Sequence, residues 1–471
     1  MRPKIITCRE KSEFLGEISV LYSSPVVNKS RPLSSGCRME SAENEVLETS
    51  EQEDAVRPSP RLLATAKPTE SRLKRVLQSQ RDSVHEPNLF RSAQWSADGT
   101  TVITTLWDHT LAAHVLPGDL LDTSSGIRSI EATSSSRHPE PIRAVAVNPA
   151  FSLTEPTSQT AILTSVDRPV QLHHLFPHED GSSRIASYLI INTSTEQYIA
   201  PVSIAWTGSS PQHAICGSAN RLDVLDVTRE GTAGHVTMIP TAKKTMAAGN
   251  LGLVQSWRGM VSALAVQPPD SSGQGSSLVA AGSWARWVAL YDYMRCPSLV
   301  SGWALPQSGS SGRGVVQVIW SPCGRYLVVN ERFGHGLLLY DIRGAARELA
   351  LLPRVQSQHH LMLSCDVFAS SIESSERGGF EIWASSDDGR VRVWENAGSR
   401  EGEIECTWAW RAHESTVMST ALHPTGSVVL TSAGNWDPPE DQALETTPGK
   451  AQTTKSWQAS KDTSLRIWSM F

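Results

Sequence analysis

The chain has 471 residues, 39% hydrophobic and 19% charged, so it can bury a large core and is not a wholly disordered polymer. Lys and Arg number 42 against 48 Asp and Glu, a net charge of −6 that excludes a chain held on nucleic acid or anionic membrane by its overall field. Fifteen tryptophans outnumber both the eight phenylalanines and the seven tyrosines, a bias that suggests a repeated unit reusing Trp at one position.

At the amino terminus Arg9, Glu10, Lys11, Glu13 and Glu17 fall where a signal peptide needs an apolar run, and no run of about 18 apolar residues occurs anywhere, so neither secretion nor a membrane span is expected. The seven cysteines (8, 37, 216, 296, 323, 365 and 406) are odd in number, scattered and free of any CxxC spacing, which suits the cytosol or nucleus. Seven acidic residues lie between Glu40 and Asp54 and seven basic ones between Arg57 and Arg81, with little periodic apolar content. Residues 1–84 are therefore expected to be a mostly disordered acidic and basic tail. The remainder, residues 86–471, carries a charge of −8.

From Pro87 onward, short alternating apolar runs separated by Gly, Pro, Ser, Asn and Asp predict many short strands joined by turns. RSAQWSADGTTVITTLWDHTLAAHVL contains a strand ending near Trp95, a Ser-x-Asp-Gly turn, a strand over 102–105, an Asp-bearing turn and a third strand ending at His114. Six further stretches repeat that order, with first-strand landmarks at Val147, Trp206, Val266, Trp320, Phe368 and Leu422, 48 to 60 residues apart. An Asp six residues before the third-strand terminus recurs as Asp108, Asp167, Asp388 and Asp462, whereas Ala219, Ala285 and Gly334 take that slot in the third to fifth units. Between 434 and 459 the last unit is interrupted by a Pro-, Thr- and charge-rich stretch expected to be a disordered loop.

VRVWEN at 391–396, LRIWS at 465–469 and WSPCGRYL at 320–327 resemble the WD-repeat β-propeller family, with Tyr291-Asp292 and Tyr340-Asp341 where that family usually has Trp-Asp. The resemblance implies an all-β, seven-bladed WD-repeat β-propeller over 85–471, because one four-stranded blade cannot bury both faces alone. It also implies that Asp462 bonds His413 near the first strand of its unit. Since the chain stops after the third strand of its last unit, the missing outer strand is expected from residues 61–90.

No catalytic pattern emerges: GSSGRG at 309–314 is not a phosphate-binding fingerprint, and no GxSxG or HExxH occurs. His173-His174 and His359-His360 are adjacent on strands and point to opposite faces, so neither pair can hold one ion. Neither an enzyme, nor a metal, nor a cofactor is expected. In WD-repeat geometry, loops leading into first strands and turns joining second to third strands share one rim, which brings together Trp257, Arg258, Trp284, Arg286, Arg332, Phe333, Arg221 and Arg168. Such an arginine and aromatic cluster suits unstacked RNA bases and phosphates, or equally a protein partner.

PNLFRSAQWSADGTTVITTLWDHTL, TSVDRPVQLHHLF, AICGSANRLDVLDV, GLVQSWRGMVSALAVQP and LVAAGSWARWVALYD resemble the first four blades of the telomerase Cajal body protein family, within a match covering 86–345. This resemblance implies a nuclear RNA-binding propeller that engages small noncoding RNAs and assists ribonucleoprotein assembly or localisation, with fungal relatives linked to spliceosomal particles and pre-mRNA splicing. It marks Arg168 and Arg221 as lying near matching motifs. The expected partners are small nuclear or Cajal-body-type RNA and ribonucleoprotein proteins, not DNA or membrane, and a monomer is expected.

Overall fold

The computed structural model describes residues 59–69, 74–76, 83–85, 88–122, 126–177, 183–192, 194–208, 211–242, 257–269, 275–307, 312–344, 347–355, 362–437 and 458–470. They form a seven-bladed β-propeller of WD-repeat type. Each blade is a four-stranded antiparallel sheet running from an inner to an outer strand. Blade 1 uses Phe90–Trp95, Thr101–Leu106, Thr110–Val115 and Ser134–Arg137; blade 2 uses Ile142–Val147, Thr160–Ser165, Val170–His174 and Arg184–Tyr188. Blade 3 follows with Ser203–Trp206, His213–Ser218, Arg221–Asp226 and His235–Pro240, and blade 4 with Val261–Val266, Leu278–Ser283, Trp287–Asp292 and Ser298–Ala304. Blade 5 is Val315–Trp320, Tyr326–Glu331, Gly336–Asp341 and Glu348–Pro353; blade 6 is Cys365–Phe368, Glu381–Ser385, Arg390–Trp394 and Trp408–Arg411.

Blade 7 combines Val417–Leu422, Val428–Ala433 and Leu465–Ser469 with an outer strand from the other end of the chain, Arg61–Ala66. The pairing is antiparallel, from Arg61 opposite Ser469 to Ala66 opposite Leu465, with one bulge between Leu62 and Ala64. Arg128–Ser129 then adds in parallel to Arg61–Ala66, and Gly402–Glu403 adds in parallel to the outer strand of blade 5, so both edges are covered.

The second strands read as near-continuous apolar or small runs because they lie mid-sheet with a neighbouring blade on each face; all six residues of Thr101–Leu106, Thr160–Ser165, Tyr326–Glu331 and Val428–Ala433 are buried. The core is accordingly divided among the interfaces, with one apolar cluster for each of the seven neighbouring pairs of blades. Tryptophan marks the first strand for a polar reason as well. Trp95 donates its indole N–H to the Ala421 carbonyl at 3.1 Å, Trp206 to Ala146 at 2.9 Å and Trp320 to Ala265 at 2.9 Å, each reaching the inner strand of the preceding blade. The turn after that strand needs glycine for the same close approach: Gly99 has φ +71°, and a Cβ there would fall 2.0 Å from the His423 ring of blade 7.

Two short ladders lie within the expected tail and loop. Lys74–Val76 pairs antiparallel with Ser83–His85, inside the stretch expected to be disordered to residue 84. Trp436–Asp437 pairs with Gln458–Ala459, so the ends of the 434–459 insertion form a short ladder. Backbone pairing can be satisfied locally there even though the composition is polar. The expectations for residues 1–58, 70–73, 77–82 and 438–457 lie outside the described residues.

A chain beginning at residue 70 lacks the outer strand of blade 7 and is expected to melt well below the full chain, with a synthetic peptide of residues 59–69 restoring part of the loss. Equal melting temperatures would show that the ring does not depend on this strand.

Candidate functional site

The strand order places the loops leading into first strands and the turns joining second to third strands on one rim. On it, residues 257–260 lead into blade 4 and 312–314 into blade 5, flanking the blade 4 turn at 284–286. Trp284 N donates to the Met260 carbonyl at 3.2 Å, while Arg313 N donates to Arg332 O at 2.7 Å and Arg332 N to Gly314 O at 2.9 Å. Gly314, at φ +122°, lies so close to Trp284 that a Cβ would sit 2.7 Å from the Trp284 carbonyl oxygen. Backbone contacts thus join the two turns into one surface.

Several side chains of the expected cluster meet there. Trp284 is 47% exposed. Arg258 is exposed, and Arg332 and Phe333 are partly buried. The guanidinium carbons of Arg313 and Arg332 lie 5.5 and 5.3 Å from the centre of the Phe333 ring, within cation–π range. Arg313, in the glycine-rich stretch read from sequence only as a loop, is a member that reasoning missed; its position immediately before a first strand was the available signal.

Three expected members do other work. Trp257 is 1% exposed and fills the interface of blades 3 and 4, so it is core and not a contact. Arg286, held at φ +61°, turns its fork onto Glu331 of blade 5, with Nε to Oε1 at 2.7 Å and Nη2 to Oε2 at 3.0 Å, and also donates to the Pro306 carbonyl at 2.8 Å. Glu331 is buried and holds the Arg286 guanidinium more firmly protonated than usual. Arg221 likewise clamps Asp223, through Nε to Oδ2 at 2.8 Å and Nη2 to Oδ1, while His235 reaches the same carboxylate at 2.7 Å. A buried carboxylate needs such a partner, so these arginines are committed to the scaffold. Arg168 lies away from this surface, in the blade 2 turn, with its side chain 49% exposed and 3.6 Å from Glu140.

The turn residues divide in the same way. His413 Nδ1 meets Asp462 Oδ2 at 3.1 Å, His413 Nε2 meets Thr431 Oγ1 at 2.8 Å, and Trp468 Nε1 donates to that hydroxyl at 2.9 Å. Asp462 also accepts from Ser464 and Arg466; against the opposing effect of burial, the hydrogen bonds from His413 and then Ser464 hold its carboxyl far below the usual range. Asp388 is instead gripped by Arg392 of its own blade at 2.8 and 3.0 Å. Asp108 is buried and accepts from the Thr110 N–H at 3.2 Å. Asp167 is exposed at φ +51°, and no hydrogen bond is described for its side chain.

His173 is buried between blades 1 and 2, its ring 4.7 Å from that of His138, with Nε2 3.0 Å from Gln171 Oε1 and Nδ1 3.1 Å from Ser183 Oγ. His174 turns away to the Pro156 carbonyl at 2.9 Å. His359 and His360 lie outside the described residues. Among the described residues, no three His, Cys, Asp or Glu side chains are grouped to hold an ion.

No family model matches the sequence. The chain is similar to the fission yeast (Schizosaccharomyces pombe) protein named guanine nucleotide-binding protein negative regulator 1, with 24% identity over 341 residues, 72% of this chain and 77% of the relative. It is also similar to protein SWT21 of Candida glabrata, with 23% identity over 321 residues, 66% of this chain and 68% of that protein. These are distant fungal WD-repeat relatives.

Two stability outcomes follow from this geometry. Arg286→Glu sets two carboxylates against each other at the interface of blades 4 and 5 and is expected to destabilise by about 3 kcal/mol or more, measured by denaturant unfolding; an unchanged midpoint would show the pair to be dispensable. Burial, reinforced by neighbouring positive groups, pushes His138 down to about 4 and His173 down to about 3. Because these values lie below the unfolded value of about 6.5, the stabilisation is complete above that pH and is lost as pH falls toward 4 and then 3. Thermal melts from pH 7.5 to 4.5 should therefore fall less steeply for His173→Gln than for the parent chain, and parallel curves would refute the assignment.

Proposed function

We propose that this chain is a non-enzymatic nuclear scaffold whose rim at blades 4 and 5 binds small nuclear or Cajal-body-type RNA, or its ribonucleoprotein, and assists particle assembly, localisation or pre-mRNA splicing. The observation that carries the reading is the joined surface of Trp284, Phe333, Arg258, Arg313 and Arg332. The exposed Trp284 indole and the guanidinium planes offer stacking faces for unpaired bases, and the same arginines can hydrogen-bond phosphate. The resemblance of residues 86–345 to the telomerase Cajal body family supports the same partner class. Since the chain outside the tail is acidic, attraction to phosphate has to be local, and binding should be strongly salt-dependent.

A second reading has its own support. The fission yeast relative is named as a negative regulator of a guanine nucleotide-binding protein, which favours a protein partner on the same rim, where Trp and Arg are frequent hot spots.

Titration of the full chain with small nuclear RNA over a range of salt concentrations separates the two. Under the RNA reading, Arg258→Glu combined with Arg332→Glu weakens binding and lowers the slope of log affinity against log salt by about 1.4, or about 0.7 per single-strand phosphate contact, with the melting temperature retained. Absence of saturable binding at low salt would eliminate direct RNA recognition and leave the protein-partner reading.

A further inference from the structure

A second cluster on the same rim lies at blades 1 and 2. Arg91 and Arg143 are the second residues of their inner strands, at the end next to the rim. Both sit where the ladder to the second strand skips a residue, between Phe90 and Ser92 and between Ile142 and Ala144. Such a bulge re-aims its side chain out of the sheet's alternation. Arg91 Nη1 reaches the Ile142 carbonyl, immediately before Arg143, and Arg143 Nη1 donates to the Ala200 carbonyl at 3.2 Å. At the equivalent positions of blades 3 to 7 stand Val202, Ser262, Val316, Ser364 and Met418, all uncharged. At this strand position, positive charge is therefore confined to blades 1 and 2.

Neither guanidinium has a carboxylate within ion-pair distance among the described residues, in contrast to Arg286 and Arg221. Arg91 loses proton affinity through burial and through the neighbouring charge of Arg143. The Arg91 guanidinium lies 5.9 Å from the centre of the Trp107 ring, and Trp107 is 38% exposed. Trp107 is the first residue of the blade 1 turn, as Trp284 is of the blade 4 turn. These are the two exposed tryptophans among the side chains described.

We infer that Trp107, Arg91 and Arg143 form a second contact for single-stranded RNA, in which a base stacks on the Trp107 indole and the adjoining phosphate is taken by the two guanidiniums. The inference rests on the RNA reading of the rim at blades 4 and 5 and extends it to the opposite part of the ring. A run of Asp and Glu would supply charge for the arginines but no flat group for the indole, whereas one nucleotide carries both in a single unit.

The test uses the full chain and a fluorescein-labelled 12-nucleotide single-stranded RNA. Trp107→Leu, which alters none of the inter-blade hydrogen bonds, should weaken binding at least fivefold with the salt slope retained, and Arg143→Gln should weaken it with the slope lowered by about 0.7. Ultraviolet crosslinking to the unmodified chain, which requires no variant to fold, should place an adduct in the peptide containing Trp107. If Trp284→Ala with Arg332→Glu weakens binding while Trp107→Leu and Arg143→Gln match the parent, and crosslinks are confined to blades 4 and 5, the second contact is overturned and the first stands. No binding by the parent chain overturns both. Polyglutamate binding that depends on Trp107 and Arg143, without RNA binding, overturns the ligand class in favour of an acidic protein.

Discussion

The antiparallel pairing of Arg61–Ala66 with Leu465–Ser469 is the constraint on which the rest of the molecule depends. No blade owns a core, because the apolar clusters lie between blades. The interface of blades 7 and 1 is filled partly by Leu63, Ala64 and Ala66 of the joining strand, packed with Leu465, Ile467 and Val102. Closing the ring costs the entropy of bringing residues some four hundred positions apart into one sheet, a cost that grows only slowly with loop length. What it secures is the last of seven interfaces, each resting on the one beside it.

A closed ring also determines which charges are free. Arginines facing a buried carboxylate are consumed by it: Arg286 by Glu331, Arg221 by Asp223, and Arg466 together with His413 by Asp462. An unpaired carboxylate in those positions would be costly, so the pairs hold turns and blades in register and have little left to offer a ligand. Three other rim arginines lie beside aromatic rings, Arg313 and Arg332 by Phe333 and Arg91 by Trp107. Rings screen a guanidinium only weakly. The same residue type therefore serves as scaffold or as contact according to whether a carboxylate shares its burial.

The seven-unit architecture was legible because each unit buries its second strand on both faces and punctuates it with turns, a pattern that survives even where the Asp slot is Ala219 or Ala285. The fate of individual rim residues was less so. Arg221 had its partner visible two positions on, at Asp223, which lies on the same face of the strand. Arg286 did not, since Glu331 is 45 residues away in the next blade. Trp257 sits beside Arg258 in sequence, and only the packing of blade 3 on blade 4 separates a core indole from an exposed guanidinium. Trp107 carries no such signal in sequence, because its cationic neighbour Arg91 comes from another strand.

The two exposed indoles among the side chains described, Trp107 and Trp284, belong to blades 1 and 4, three steps apart around a seven-membered ring. Hydrogen bonds such as Trp95 to Ala421 and Trp320 to Ala265 lock neighbouring blades together, so the span between the two turns is fixed by the fold and not by flexible loops. A compact ligand can occupy one turn but cannot bridge both. A linear polymer can, and once held at one end its second contact is made at the high effective concentration set by the linking segment. Two individually modest stacking platforms on an acidic body can then act as one discriminating surface, selecting for chains long and flexible enough to cross the ring.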